Sequence, residues 1–205
     1  MRDGGGTGLR IAWQPLVALC CAAVLSGCSF LAPKPAPDTF DLEAATAFPA
    51  SVGGTSIQFA ITEPSAVGAL NSERIVVRPE PTEITFLAKA QWNDRVPVLV
   101  QVRLIDSFRN TGKVRSVGLP GGAVDNDVGL VTDLEDFHID AETGQARVTI
   151  AVRIVSDQTG RVIASRIFKA TAPVAGDSID DMVDAMNAAF TTIAADIVVW
   201  TLARI

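Results

Sequence analysis

The sequence predicts an α+β fold: a mixed, mostly antiparallel sheet with two main helices packed on it, at about residues 97–111 and 178–203. Three observations carry this. Several short segments after Thr39 alternate apolar and polar residues at the period of two that a half-buried strand requires. The C-terminal segment instead repeats apolar residues every three or four positions, the period of an amphipathic helix. Composition changes near position 37, leaving residues 38–205 as a length that can bury one hydrophobic core.

Arg2, Arg10 and the apolar run from Ile11 to Leu25 have the order of a secretory signal, too short for a comfortable membrane span. The run closes on Leu25-Ser26-Gly27-Cys28, which resembles the bacterial lipobox. That resemblance implies removal of residues 1–27 and a covalent diacylglyceryl and acyl (palmitate-type) lipid on Cys28. Ser26 and Gly27 are small enough to admit a peptidase, and a thiolate is nucleophilic enough to form the thioether. Of the three cysteines, Cys20 and Cys21 fall in the segment to be removed, so Cys28 alone is expected to remain, capped by its lipid. Two or three acyl chains make a lasting tether without any span. Residues 28–37, with Pro33, Pro35 and Pro37, then form an extended stalk.

The domain over 38–205 opens with "TFDLEAA" and "TSIQFAITEP", both read as strands, the second presenting Ile57, Phe59 and Ile61 on one side. Arg74–Arg78 and Thr82–Lys89 flank "PEP" as a half-buried hairpin, with Ile84, Phe86 and Ala88 sharing a face. The stretch "VPVLVQVRLI" favours a strand by propensity. Spacing argues for helix: Pro97 suits the first turn, Gly112 the residue past the end, and Val100, Leu104 and Phe108 recur every four residues. Val114–Leu119 is a short strand and "PGGAVDNDVG" a loop. Leu130–Ile139 changes phase around Asp136, which predicts a bulge. Arg147–Val155 puts Val148, Ile150, Val152 and Ile154 on one face, and Gly160 turns the chain into Val162–Thr171. Ser178 is a good N-cap, with Asp180 and Asp181 in the first helical turn. Ile179, Met182, Met186, Phe190, Ile193, Ile197 and Trp200 form the apolar face that follows, and the tail "IVVWTLARI" is apolar enough to meet another subunit. No later stretch holds 18 consecutive apolar residues, so no spanning helix is expected after the signal.

Without residues 1–27 the chain keeps 15 basic and 22 acidic residues, which argues against a nucleic-acid partner. One histidine and no tyrosine leave few general bases. His138 lies in "DFHID" on a strand with no nucleophile elbow nearby and reads as a packing or surface residue. Asp125, Asp127, Asp133, Glu135, Asp136, Asp140 and Glu142 lack the spacing of a calcium loop and read as a solvated face, so no metal is expected. "GGGTG" lies in the removed signal, and "GLPGG" lacks the lysine-serine partner of a phosphate loop. Trp92 reads as a core anchor or an interface ring, and Trp92 and Trp200 are the candidate interface residues. No catalytic residue is assigned.

"LSGC" with its stalk, "TFDLEAA", "RIVVRPEPTEITFLAKAQWNDRVPVLVQ" and "DFHIDAETGQARVTIAVRIVSDQTGRVIASRIFKATAPV" with the helix ending in Trp200 together resemble the ABC-type transport auxiliary lipoproteins, the family of the paraquat-inducible C-type lipoproteins. Arg78, Phe86, Trp92 and Pro97 match that pattern; Phe40 stands where a tyrosine is usual, as do Leu87 and Ala88 near another. The resemblance implies a lipoprotein on the periplasmic face of the outer membrane, since Ser29 is not the aspartate that favours inner-membrane retention. It also implies an auxiliary role to an MCE-domain lipid transporter, with self-association, contact with phospholipid and no enzymatic chemistry. A lipoprotein that assembles an envelope complex without binding lipid is the alternative.

Overall fold

The computed structural model describes residues 36–121 and 126–205. The signal, Cys28, nearly all of the stalk and Asp125 lie outside the described residues. From Pro37 onward the chain forms one unit. Its elements are β1 (Asp38–Phe40), β2 (Thr55–Ile61), β3 (Ser65–Ala66), β4 (Arg74–Arg78), β5 (Thr85–Trp92), α1 (Val96–Asn110), β6 (Val114–Gly118), β7 (Val128–Asp140), β8 (Gln145–Ser156), β9 (Val162–Pro173) and α2 (Ile179–Leu202). The fold class and both helices stand as the sequence predicts.

The sheet is organised around β7. One edge of β7 pairs along its length with β8, antiparallel, and β8 pairs antiparallel with β9. Its other edge is shared end to end by three short parallel partners: β2 at Val128–Leu130, β3 at Asp133–Leu134 and β4 at Ile139–Asp140. Beyond these, β6 lies parallel to β2, and β5 joins β4 to β1. The long ladders are antiparallel and the short ones mostly parallel, which makes the sheet mixed.

The phase change near Asp136 is a bulge. Leu134 faces Ile150 and Asp136 faces Thr149, so Glu135 has no opposite number. Leu134 and Phe137 consequently both point into the core, and Asp136, His138 and Asp140 turn to the opposite face. On β8, Val148, Ile150, Val152 and Ile154 are all enclosed. Burying such a side chain contributes about 1.5–3 kcal/mol each. α2 covers this face, packing on β7, β8 and β9, and α1 packs on α2, β2 and β6.

Local chemistry explains the helix ends. Ser178 Oγ accepts from the Asp181 amide at 3.1 Å while Asp181 Oδ2 accepts from the Ser178 amide at 3.2 Å, a complete capping box. α1 has Pro97 in its first turn and no side-chain cap. The Val96 amide instead donates to the Ser72 carbonyl at 3.1 Å. Gly112, at φ 64°, releases the chain from the helix.

Three expectations need correction. "TFDLEAA" is a strand only to Phe40. Past that point its backbone finds helix side chains rather than a neighbouring strand: the Glu43 amide donates to Asn187 Oδ1 at 2.9 Å, the Ala45 amide to Ser107 Oγ at 2.9 Å, and Asn110 Nδ2 donates to the Ala45 carbonyl at 3.0 Å. Asp41 pairs with Arg103, so residues 41–45 form a strap bonded to both helices. In the hairpin, Ile84 lies outside β5 and is 44% exposed, and Ala88 is exposed. Lys89 has φ 62°, and two steps along β4 from Arg74 to Val76 correspond to five along β5 from Gln91 to Phe86. The extra length bulges outward, and the burial expected at Ile84 and Ala88 falls to Ala90 and Trp92. Finally, α2 is long and apolar enough by length and composition to cross a membrane, against the expectation of no such helix. Here its apolar residues pack on the sheet and on α1.

Candidate functional site: an open sheet edge and a polar pocket

The two tryptophans part company in the structure. Trp92 ends β5 at 0% exposure, in edge-to-face contact with Phe137 at 5.9 Å, and Phe137 in turn meets Phe190 of α2 at 6.4 Å. That makes Trp92 a core anchor, and the interface reading is corrected: its ring offers no surface to a partner. Its indole Nε1 has no hydrogen-bond partner. Trp200, near the end of α2, is 5% exposed and packs edge-to-face on Phe168 at 5.6 Å. Arg204 lies over its ring at 4.6 Å, and Arg166 over Phe168 at 4.8 Å. These two cations with Asp196, Val199 and Ala203 complete a shallow depression over Trp200.

An edge that sequence reading did not single out lies beside this depression. β9 pairs with β8 and with no other strand among the described residues. On it Val162, Ile163 and Ile167 are 55%, 51% and 54% exposed. Aliphatic side chains on an unpaired strand form a surface that can accept another protein, through side-chain packing and through the backbone groups β8 does not use. The signal was present in "RVIASRIFKA", which alternates less cleanly than β8, but nothing in one sequence says which strand is outermost.

The bulge in β7 builds the second feature. A pocket of about 330 Å³ is lined by Arg78, Glu80, Pro81, Asp136, His138, Asp140, Glu142 and Arg147. His138 is 4% exposed, and its Nδ1 has no hydrogen-bond partner; the nearest carboxylate oxygen, Asp136 Oδ1, is 3.8 Å away. Burial, and then the Arg78 charge, push the imidazole pKa below its ordinary value, which favours the neutral ring. Arg147 Nη2 donates to Asp140 Oδ2 at 3.0 Å, and the Thr143 amide donates to Asp140 Oδ1 at 3.0 Å. The Thr143 amide, with Arg147, holds the Asp140 carboxyl below the usual carboxylate range. Arg78 Nη1 donates to the Pro81 carbonyl at 3.3 Å, and its buried Nε has no partner.

The remaining acids do not converge. Asp133 pairs with Arg153 at 2.8 Å and accepts from Ser65, Asp127 accepts from the Gln58 amide at 3.0 Å, and the bulged Glu135 is exposed. Among the described residues no three His, Cys, Asp or Glu side chains come together as a metal would need.

A helix-backed mixed sheet with an open apolar edge and a polar pocket at the β7 bulge defines an α+β domain. A family model described as the ABC-type transport auxiliary lipoprotein component matches residues 40–198, and the chain belongs to that family. It is 34% identical over 166 residues to the uncharacterised protein bll6063 of Bradyrhizobium diazoefficiens. The match takes in 80% of this chain and 44% of that relative, so the chain spans less than half the relative's length. Its fold matches the crystal structure of XCC0632 from Xanthomonas campestris, a DUF330 protein, with TM-score 0.76 and 24% identity over 81% of this chain and 95% of that one. An uncharacterised protein of known structure matches at TM-score 0.63 and 13% identity, over 80% of this chain and 97% of the other.

Proposed function

We propose that this protein is a lipid-anchored, periplasm-facing auxiliary subunit of an ABC/MCE-type lipid transport system, docking the MCE component at the outer membrane. Membership of the auxiliary lipoprotein family is the observation that carries the reading. "LSGC" supplies the anchor at Cys28, and the proline-rich residues 28–37 supply up to ~30 Å of reach. The exposed aliphatic residues of β9 supply a contact surface, with Trp200 and its arginines beside it. Chemistry is left to other subunits, and no enzymatic activity is proposed.

The same observations admit an adaptor that holds an envelope complex together without carrying lipid. The pockets around His138, along Glu43–Ala47 and Thr191–Ala195, and over Trp200 are lined mainly by charged and small side chains. Such linings favour contact with protein over enclosure of an acyl chain. Crosslinking in cells, with photoreactive residues at positions 163 and 167, tests the docking reading. Recovery of an MCE-domain protein is expected, and its consistent absence from crosslinked complexes would remove the transport assignment. Lipid co-purifying with the intact protein, measured by mass spectrometry, separates the two readings. For the anchor, Cys28→Ala is expected to release the protein from the membrane fraction.

A further inference from the structure

The pocket beside the β7 bulge has a charge pattern that its own residues leave unbalanced. Arg147 and Asp140 satisfy each other. Among the described residues Arg78, Glu80 and Glu142 enter no ion pair, and Asp136 has only the neutral-leaning His138 at 3.8 Å. One uncommitted cation therefore faces three uncommitted carboxylates around about 330 Å³ of space. Two nitrogens on the walls, His138 Nδ1 and Arg78 Nε, are buried without a hydrogen bond. Buried polar atoms of this kind are normally satisfied, and leaving one unpaired is destabilising. Trp92 Nε1 is unpaired too, but deep in the core; His138, 4% exposed, presents its unpaired Nδ1 on the wall of a charged pocket, where an occupant can reach it.

The chemistry selects that occupant. It must bring positive charge to Asp136, Glu80 and Glu142 and an acceptor oxygen to Arg78. A free anion fails the first requirement. A zwitterionic phospholipid headgroup meets both, but its phosphate would bring a full negative charge among three carboxylates with a single unpaired arginine to offset it. A basic side chain of a polypeptide, with an uncharged backbone carbonyl close by, meets both without that repulsion. We infer that this pocket receives a lysine or arginine side chain of a partner protein, its cationic head among Asp136, Glu80 and Glu142 and a neighbouring carbonyl oxygen on Arg78. This site lies at the β7 bulge, and its assignment does not depend on which protein docks at β9.

The chain contains one histidine, which gives the site its own reporter. In the full-length protein in detergent, purified without a histidine tag, the imidazole resonances of His138 are followed by NMR. The probe is Nα-acetyl-lysine methylamide, which carries the ammonium and the carbonyl together. A saturable shift in the millimolar range is expected, with no comparable shift from the norleucine analogue, which lacks the charge. Glu142→Gln and Asp136→Asn are each expected to weaken binding by up to about fivefold, the range of one partly exposed ion pair. No saturable shift would overturn the inference, as would equal response to the norleucine analogue, unchanged affinity in both variants, or tighter binding of glycerophosphoethanolamine than of the lysine amide. Should Asp136→Asn lose the native spectrum, Glu142→Gln, at an exposed position, decides the matter alone.

Discussion

Replacing Trp92 by alanine separates a core role from an interface role. The ring is wholly enclosed, and through Phe137 it links the end of β5 to Phe190 of α2, so its loss removes a contact that spans the sheet and its covering helix. Truncating a buried aromatic to alanine costs about 3–5 kcal/mol. In a domain of this size each kcal/mol lowers the melting temperature by about 2–4 °C, so a drop of roughly 6–20 °C is expected. Trp92→Phe makes a sharper test. It keeps an aromatic ring against Phe137 and deletes an indole N–H that has no partner, and relief from that unsatisfied donor offsets part of the lost packing. The phenylalanine variant is therefore expected to lose less than half as much as the alanine variant. Thermal and urea unfolding of residues 37–205, followed by circular dichroism, measures both. An alanine variant melting within about 2 °C of the parent would refute the packing argument and return Trp92 to the surface.

Three further outcomes are expected. Ser178→Ala removes the oxygen that caps α2 and is expected to cost about 1 kcal/mol, read as a small fall in melting temperature, while Ser178→Thr, which keeps a hydroxyl beside the Asp181 carboxylate, retains most of that stability. His138 has its pKa lowered in the folded chain, so between the folded value and the ordinary value of about 6.5 the unfolded chain binds more protons. Stability is then expected to fall as pH drops below about 6.5 and to level off beneath the folded pKa, and His138→Gln is expected to abolish that slope in urea midpoints measured from pH 7.5 to 5. Ile163→Lys and Ile167→Lys alter exposed positions and are expected to change stability by no more than about 0.5 kcal/mol. If β9 is a contact edge, recovery of crosslinked partner from cells falls sharply in both variants; undiminished recovery would place the contact elsewhere.

What was legible in the sequence is what local periodicity encodes. Val148 to Ile154 alternates without interruption, and the residues from Ser178 to Trp200 keep helical spacing behind a capping box, so both elements and their buried faces could be read directly. α1 was the harder case: β-branched content argued for a strand, and Pro97 and Gly112 at its ends decided otherwise. The failures lie where backbone partners come from afar. Nothing within "TFDLEAA" reveals that Ser107, Asn110 and Asn187 will take up its backbone groups. Nor does "ITFLAKAQW" reveal that Lys89 adopts a positive φ and that the strand carries three more residues than its partner across that bulge. The pocket was half legible. The phase change at Asp136 was visible, but its consequence, His138 enclosed among charges supplied by three strands and two turns, depends on the parallel pairing of β4 with the end of β7.

The open edge of β9 fits the lipid tether proposed for Cys28. In a freely diffusing protein an unpaired strand bearing Val162, Ile163 and Ile167 invites aggregation, and evolution usually blunts such edges with charge, proline or a covering segment. β9 has some blunting, since Arg166 and Lys169 are exposed along it, yet the aliphatic residues remain. A lipid on Cys28 would confine the domain to a membrane surface, where the effective concentration of a partner held in the same envelope is high and weak contacts become populated. Under that confinement a modest aliphatic edge would suffice for docking, and the flanking positive charges would limit indiscriminate pairing. The anchor and the edge are then complementary devices. The first would supply concentration without specificity, and the second would supply a specific surface too weak and too exposed to work unaided.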